Sequence, residues 1–298
     1  MRSTIAVISN PDAGLGNHQE DVRRAVGAMQ DQGMTMRLMR LAPEKPWKVQ
    51  LGTLLAEGVD TFVAAGGDGT VNSIAACLLD TDCRLGVVPT GTVNHFAKHI
   101  GMPREVAAAL EVIGRGHTER MDVGEVNGIP FLNFSSLGLY ADILTAFIER
   151  QRLGWPKRLA LLRAVMDIVR PYPPLHIGFA KDAKETEVHT PLVFIGNNRY
   201  HLGGIDLLQA SDGLRNGIFQ VAYIHDHGRL GLLRLCMSAF CHGGQLQQDV
   251  TVTGLRSFQI TSLQNSLPVA IDGEVRMMQP PLQYDVRPQA LRVIVPKA

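Results

Sequence analysis

The stretch "TFVAAGGDGTVNSIAA", residues 61–76, constrains this chain more than any other. An apolar, strand-like run ends in Gly66-Gly67-Asp68-Gly69-Thr70, and an apolar run with helical spacing follows at once. Strand, glycine-rich turn and helix in that order build the edge of a parallel sheet, with the turn outside the carboxyl end of the strand. Three glycines let backbone N–H groups approach an anion closely, and the start of the helix adds partial positive charge. Phosphate is the natural guest. An aspartate in such a turn repels phosphate, so Asp68 points to a Mg2+ ion or an acceptor hydroxyl beside it. The plain alternative is a tight turn with a helix-capping aspartate. No lysine follows the glycines, so this is not a Walker loop, and backbone amides and Mg2+ must carry the charge.

The neighbouring sequence repeats the design. Strand signals at 4–9, 34–41, 60–65 and 84–88 alternate with helical spacing at 17–33, 46–58 and 71–80. Alternation of this kind implies a mostly parallel sheet covered by helices. "SNPDAGLG" turns at Gly14 and Gly16 after the first strand, and "PTGTVN" turns at Gly91 after the fourth. Thr92 either caps the following helix or donates to a phosphate. After residue 120 the pattern changes to short strand-like pieces such as "PLVFIGN", "GIFQVAYI" and "LPVAIDGE". Asn127-Gly128, Asp212-Gly213, Asn216-Gly217 and Asp272-Gly273 punctuate them, which reads as an antiparallel sandwich or barrel. Helices at 140–170 and 228–242 interrupt it. The expected fold class is α/β: a mostly parallel α/β domain over 1–122, and an antiparallel β-sandwich domain with inserted helices over 123–298.

A net charge of +1, from 29 basic and 28 acidic residues, gives no general attraction for nucleic acid. Any anion site must be built locally. Cys77, Cys83, Cys236 and Cys241 form no CxxC and sit in apolar surroundings, as small core residues of a reduced cytoplasm do. The N-terminus has no signal-peptide layout, and no apolar run reaches the length of a membrane span. Residues 149–170 carry six basic and two acidic residues interleaved with Leu153, Trp155, Leu159 and other apolar side chains. That pattern suits an anionic membrane surface, and equally a core helix with a solvated face. The segment 229–241 reads as core or as the lining of an acyl pocket. "HDH" at 225–227 reads as a surface turn. His95 and His99 share a helix face at i, i+4, but lack a third metal ligand and the glutamate of HExxH.

The motifs NPxxG, GGDGT and GTxN, in that order, resemble the diacylglycerol kinase catalytic family, which includes bacterial lipid kinases and is related to sphingosine and ceramide kinases. "NFSSLGLYADI" (133–143), "IGNNRYHLGGI" (195–205) and "VAIDGEV" (269–275) extend the resemblance through most of the chain. It implies a NAD-kinase-like α/β domain joined to a β-sandwich, with ATP as phosphate donor, Mg2+ and a lipid alcohol as acceptor. By the resemblance, Asn10, Pro11 and Gly14 hold nucleotide together with Gly66, Gly67, Asp68, Gly69, Thr70, Val71 and Asn72. Gly91, Thr92 and Asn94 complete the phosphate side, and Arg40 reaches the ribose. Glu274 is the first choice for proton acceptor, with Asp68 and Asp272 as further catalytic carboxylates. Asp122 and Asp212 are the metal candidates. Two departures stand out: His95 replaces the last aspartate of Gly-Thr-x-Asn-Asp, and Asn216 and Gln220 fall where carboxylates are frequent. The expected partners are a lipid, transiently the inner membrane surface, and a second copy in a homodimer, with no nucleic acid. The alternative is a nucleotide-binding regulator without turnover.

Overall fold

The computed structural model describes residues 4–9, 18–40, 46–142, 145, 149, 153–156, 159, 163, 175–181, 184–197, 201–202, 205–206, 217–224 and 250–297. The chain forms two compact units, one of residues 1–123 with 288–298, the other of residues 124–287. The sequence expectation gives everything after 122 to a second domain. The last strand instead returns its end to the first unit, pairing Arg292 and Val293 with Arg84 and Leu85.

In the first unit strands and helices alternate: β1 (Ile5–Ser9), α1 (His18–Asp31), β2 (Met36–Arg40), α2 (Trp47–Ala56), β3 (Thr61–Gly66), α3 (Asp68–Leu78), β4 (Arg84–Pro89), α4 (His95–His99), α5 (Val106–Arg115) and β5 (Thr118–Val126). β2, β1, β3 and β4 lie side by side in that order, all parallel. Every residue of β3 is buried, as expected for a strand covered on both faces. Val22, Val26 and Met29 of α1 are buried at helical spacing, which fixes the face it turns inward. The chain runs outward from β1 to β2, then crosses back to place β3 on the other side of β1. That reversal is the topological switch point where open α/β sheets bind ligands. Register puts Ser9 beside Ala65 and beside Arg40, and Gly66 beside Pro89, so β1, β3 and β4 end at one level on one edge.

The second unit is antiparallel: β6 (Ile129–Phe131), β7 (Phe134–Gly138), β8 (Leu175–Lys181), β9 (Lys184–Thr190), β10 (Leu192–Gly196), β11 (His201–Leu202), β12 (Ile205–Asp206), β13 (Phe219–Ile224), β14 (Val250–Leu255), β15 (Ser257–Ser262), β16 (Leu267–Ile271), β17 (Glu274–Met278) and β18 (Leu282–Ile294). One sheet runs β14-β13-β10-β7-β16-β17, and the first half of β18 continues to β15, β8 and β9. Their inner faces share one apolar core that includes Phe131, Leu137, Val193, Phe219, Phe258 and Tyr284. Phe258 stacks on Tyr284 with centroids 5.0 Å apart, and the buried Tyr284 hydroxyl hydrogen-bonds Ser135 Oγ at 2.9 Å. Burial of each such side chain contributes about 1.5–3 kcal/mol.

Asn127 and Gly128 take φ of 46° and 80°, and Asp272 and Gly273 take 47° and 92°. Positive φ at both central residues is the hairpin turn that these Asn-Gly and Asp-Gly pairs signal. β9 and β14 go beyond the strands read from sequence. The helical reading of 140–170 falls mostly, and that of 228–242 entirely, outside the described residues, as do Asp212, Asn216, the HDH segment, Cys236 and Cys241. Cys77 and Cys83 are free thiols, both pushed up from the usual thiol range by burial. Among the described residues no helix is long and apolar enough to cross a membrane.

Candidate functional site

The glycine turns after β3 and β4 lock into each other. A Cβ on Gly66 would meet Thr70 Oγ1 at 2.5 Å, and one on Gly91 would meet the Cα of Gly67 at 2.4 Å. Both positions are therefore closed to any side chain. Asn94 fastens the second turn: its Nδ2 donates to the Gly91 carbonyl at 2.7 Å, and its Oδ1 accepts the Gly91 N–H at 3.1 Å. Asn94 is left-handed at φ 54°, which asparagine tolerates better than most residues.

Sequence spacing starts the helix at Val71. In the structure it starts at Asp68, with Gly67 extended before it and the Val71 N–H donating to the Gly67 carbonyl at 3.1 Å. The glycine motif is therefore partly the first turn of α3. In a first helical turn the N–H groups have no helical carbonyl to donate to, and the dipole favours negative charge. Asp68 Oδ2 accepts the His95 N–H and Oδ1 the Phe96 N–H, each at 3.1 Å. It caps α4, so the cap considered for Thr92 comes from Asp68 instead. Thr92 is exposed and Thr70 buried. Asn72, one turn into α3, holds its Oδ1 buried without a hydrogen-bond partner among the described residues. An orphaned acceptor beside a glycine cradle calls for a donor, and a nucleotide base or sugar carries such donors.

His95 opens α4 next to Asp68. Burial lowers its imidazole below the usual range and Lys98 adds to this, while the Asp68 charge opposes both. The ring is thus neutral at pH 7. Arg40 ends β2, exposed. Asn10, Pro11 and Gly14 lie outside the described residues, although Ser9 delivers the chain to them beside Ala65.

The other carboxylates have different occupations. Asp122 is buried, and its Oδ1 accepts the Gln289 N–H at 2.8 Å within the first unit. Asp272, in the second unit, accepts three backbone N–H groups: Leu132 at 2.7 Å, and Asn133 and Phe134 at 2.9 Å each. Its own N–H donates to the Phe134 carbonyl at 2.9 Å. The Asn197 N–H donates to the Asn133 carbonyl at 2.9 Å, and its side-chain amide to the Leu132 carbonyl at 3.2 Å. Three distant segments meet in this knot, and the sequence reading named Asn133 and Asn197 only as parts of motifs. Glu274 is different. Two residues past Asp272, it opens β17 with its side chain 64% exposed and pairs with Arg276 at 3.3 Å. Asp142, which sequence reasoning passed over, has its carboxyl raised above the usual range by burial.

The implied Mg2+ can be tested against these residues. Asp68, Asp122 and Asp272 each spend carboxylate oxygens on backbone N–H groups. Among the described residues no group of three His, Cys, Asp or Glu side chains forms a metal site. Among the described residues the carboxylates do not make a cage for Mg2+.

Comparison with known proteins agrees with this fold. Residues 4–126 match the model of the diacylglycerol kinase catalytic domain, and residues 140–295 match the YegS C-terminal NAD kinase beta sandwich-like domain. A diacylglycerol kinase of Mycobacterium tuberculosis is 26% identical over 302 residues, 98% of this chain and 95% of that protein. A diacylglycerol kinase of Bacillus subtilis is 27% identical over 226 residues, 74% and 73% of the two chains. The crystal structure of a diacylglycerol kinase from Bacillus anthracis superposes with a TM-score of 0.70 at 20% identity, covering 98% of this chain and 97% of the other. The parallel α/β unit with its glycine double turn and the antiparallel β-sandwich unit correspond to the two domains of these matches. The chain belongs to the diacylglycerol kinase family, and it is a lipid kinase by that membership.

Proposed function

We propose that this protein transfers the γ-phosphoryl group of ATP to the hydroxyl of a diacylglycerol or a related membrane lipid alcohol. The observation that carries the reading is the interlocked turn pair of Gly67 and Gly91 at the switch point, held by Asp68 and Asn94. ATP supplies the phosphoryl group. The first-turn amides of α3 bind its phosphates, Asn72 Oδ1 takes a donor of the nucleoside, and Arg40 takes the ribose. Glu274 accepts the proton of the lipid hydroxyl as the oxygen bonds to phosphorus and ADP leaves. Its exposed carboxylate, held among the described residues by the Arg276 pair and no backbone amide, supports that role over Asp272. Leu153, Trp155 and Leu159 are 77%, 44% and 54% exposed, and with the basic residues around them they suit an anionic lipid surface.

The test is phosphate transfer from labelled ATP to a panel of lipid alcohols in mixed micelles, with mass detection of products. Transfer to diacylglycerol that disappears in Glu274→Gln is the expected result. No transfer to any alcohol overturns the reading. A second reading, a nucleotide-binding regulator without turnover, draws on the backbone occupation of Asp68 and Asp272. ATP binding that persists with no turnover across the panel is the outcome that selects it.

A further inference from the structure

Away from these residues, the β8–β9 hairpin brings two histidines side by side. His176 and His189 are register partners, with ring centroids 4.0 Å apart and planes inclined by 55°. Leu175 and Ile177 on either side of His176 are buried in the core, so His176 stands on the opposite, exposed face. His189 is exposed beside it. Among the described residues neither imidazole has a hydrogen bond or an ion pair, and the ring contact is what relates them.

We propose that His176 and His189 form a two-histidine clip for a borderline divalent transition metal, the class of Zn2+, Ni2+ and Cu2+. Each neutral imidazole offers a nitrogen lone pair, and imidazole suits these ions. Mg2+ and Ca2+ prefer oxygen ligands and are refused. The ladder from Leu175↔Thr190 to Lys181↔Lys184 fixes the two residues opposite each other on one face before any metal arrives. Preorganisation of this kind lowers the ordering cost of binding. Glu187 lies two residues before His189, on the same face, opposite Gly178, which has no side chain. Its charge raises the local cation concentration. Among the described residues no third His, Cys, Asp or Glu completes the set, so water fills the remaining positions. β9 is the outermost strand of its sheet, and a metal across the pair pins that edge to β8. The inference stands independently of the kinase reading.

Calorimetric titration of the full chain with Zn2+, and Cu2+ electron paramagnetic resonance, test it. The expected result is one equivalent of Zn2+ with no Mg2+ heat, and two nitrogen ligands to Cu2+. His176→Ala and His189→Ala should each weaken Zn2+ binding by at least about tenfold and leave one nitrogen on Cu2+. Zn2+ should raise the melting temperature of the wild type and not of either variant. Both side chains are exposed, so the melting temperatures in chelator should match and exclude misfolding. A His225→Ala/His227→Ala double variant should bind as the wild type does. Absence of Zn2+ binding, binding that survives both single substitutions, or binding lost only in the double variant overturns the proposal.

Discussion

The carboxylate of Asp68 accepts the backbone N–H of His95 at 3.1 Å, across 27 residues, so an aspartate in one glycine turn caps the helix that follows the other. A second bond from Phe96 makes the contact bidentate. The two turns thus fold as one object, and Asp68 has a structural role before any chemical one. Asp68→Ala removes both acceptors. Loss of a capping side chain costs about 0.5–2 kcal/mol. The expected outcome is a melting temperature lower by a few degrees and no phosphate transfer. Asp68→Asn keeps one acceptor oxygen and should recover part of the stability. Thermal denaturation of both variants beside the transfer assay checks it.

Gly91→Ala sets a methyl group 2.4 Å from the Cα of Gly67. The obstacle is backbone, so no rotamer change relieves it. Overpacking of this kind costs about 1–3 kcal/mol. Because the strain falls on the glycine cradle, nucleotide affinity should drop at least about tenfold, the equivalent of 1.4 kcal/mol. Calorimetric titration with a non-hydrolysable ATP analogue checks it. Gly58→Ala, where a Cβ meets nothing within 4 Å but φ is +83°, isolates simple backbone strain and should leave that affinity unchanged.

Asp272 and Glu274 stand two residues apart and should respond oppositely. Hydrogen bonds to a charged group are worth about 1.5–3 kcal/mol each, and Asp272 accepts three. Asp272→Ala removes all three and should destabilise the protein by about 3 kcal/mol or more. Glu274→Gln should leave denaturant stability within about 0.5 kcal/mol of wild type, as exposed substitutions do, while abolishing transfer. Urea denaturation beside turnover separates a clamp from a proton acceptor. Loss of turnover in neither variant, or of stability in both, would refute the division of roles.

What the sequence carried well was local. The alternation around β3 and the hairpin pairs Asn127-Gly128 and Asp272-Gly273 follow from φ preference and apolar spacing and lie where those rules put them, while the glycine motif after β3 runs on into the first turn of α3. Its misses were of two kinds. β9, "KETEVHT", is polar along most of its length because it is an edge strand, so it has little apolar alternation to read. The clamps of Asp68, Asp122 and Asp272 join residues 27 to 167 positions apart, and no local pattern records such a pairing. All three aspartates read as chemical carboxylates because their amide partners lie in other segments.

Asp142 offers a test of burial alone. Burial raises its carboxyl above the ordinary aspartate value of 3.8. A group raised on folding contributes most below its unfolded value and loses that contribution as pH rises through the folded value. Asp142→Asn removes the cost of burying a charge. The variant should be more stable than wild type at pH 7, with the difference vanishing below about pH 3.8. Urea midpoints across that range check it, and a turnover loss at pH 7 despite the gain in stability would mark Asp142 as functional.

His95 runs with the opposite sign. Burial, aided by Lys98, holds its imidazole below 6.5, against the pull of Asp68. The unfolded chain therefore takes up this proton at a higher pH than the folded one. Stability is intact above 6.5 and declines as pH falls from there through the folded value. His95→Gln has no proton to gain. The stability of the wild type relative to His95→Gln should be constant between pH 7 and 8 and fall steadily from pH 6.5 to 5, read by urea denaturation. His95→Asp is the sharper variant. It sets a carboxylate where the family resemblance of the Gly-Thr-x-Asn motif leads one to expect it, a second negative charge beside Asp68. If His95 governs acceptor choice, His95→Asp should change the order of preference across the lipid panel at unchanged ATP affinity. A changed ATP affinity with the same lipid order would place His95 on the nucleotide side instead.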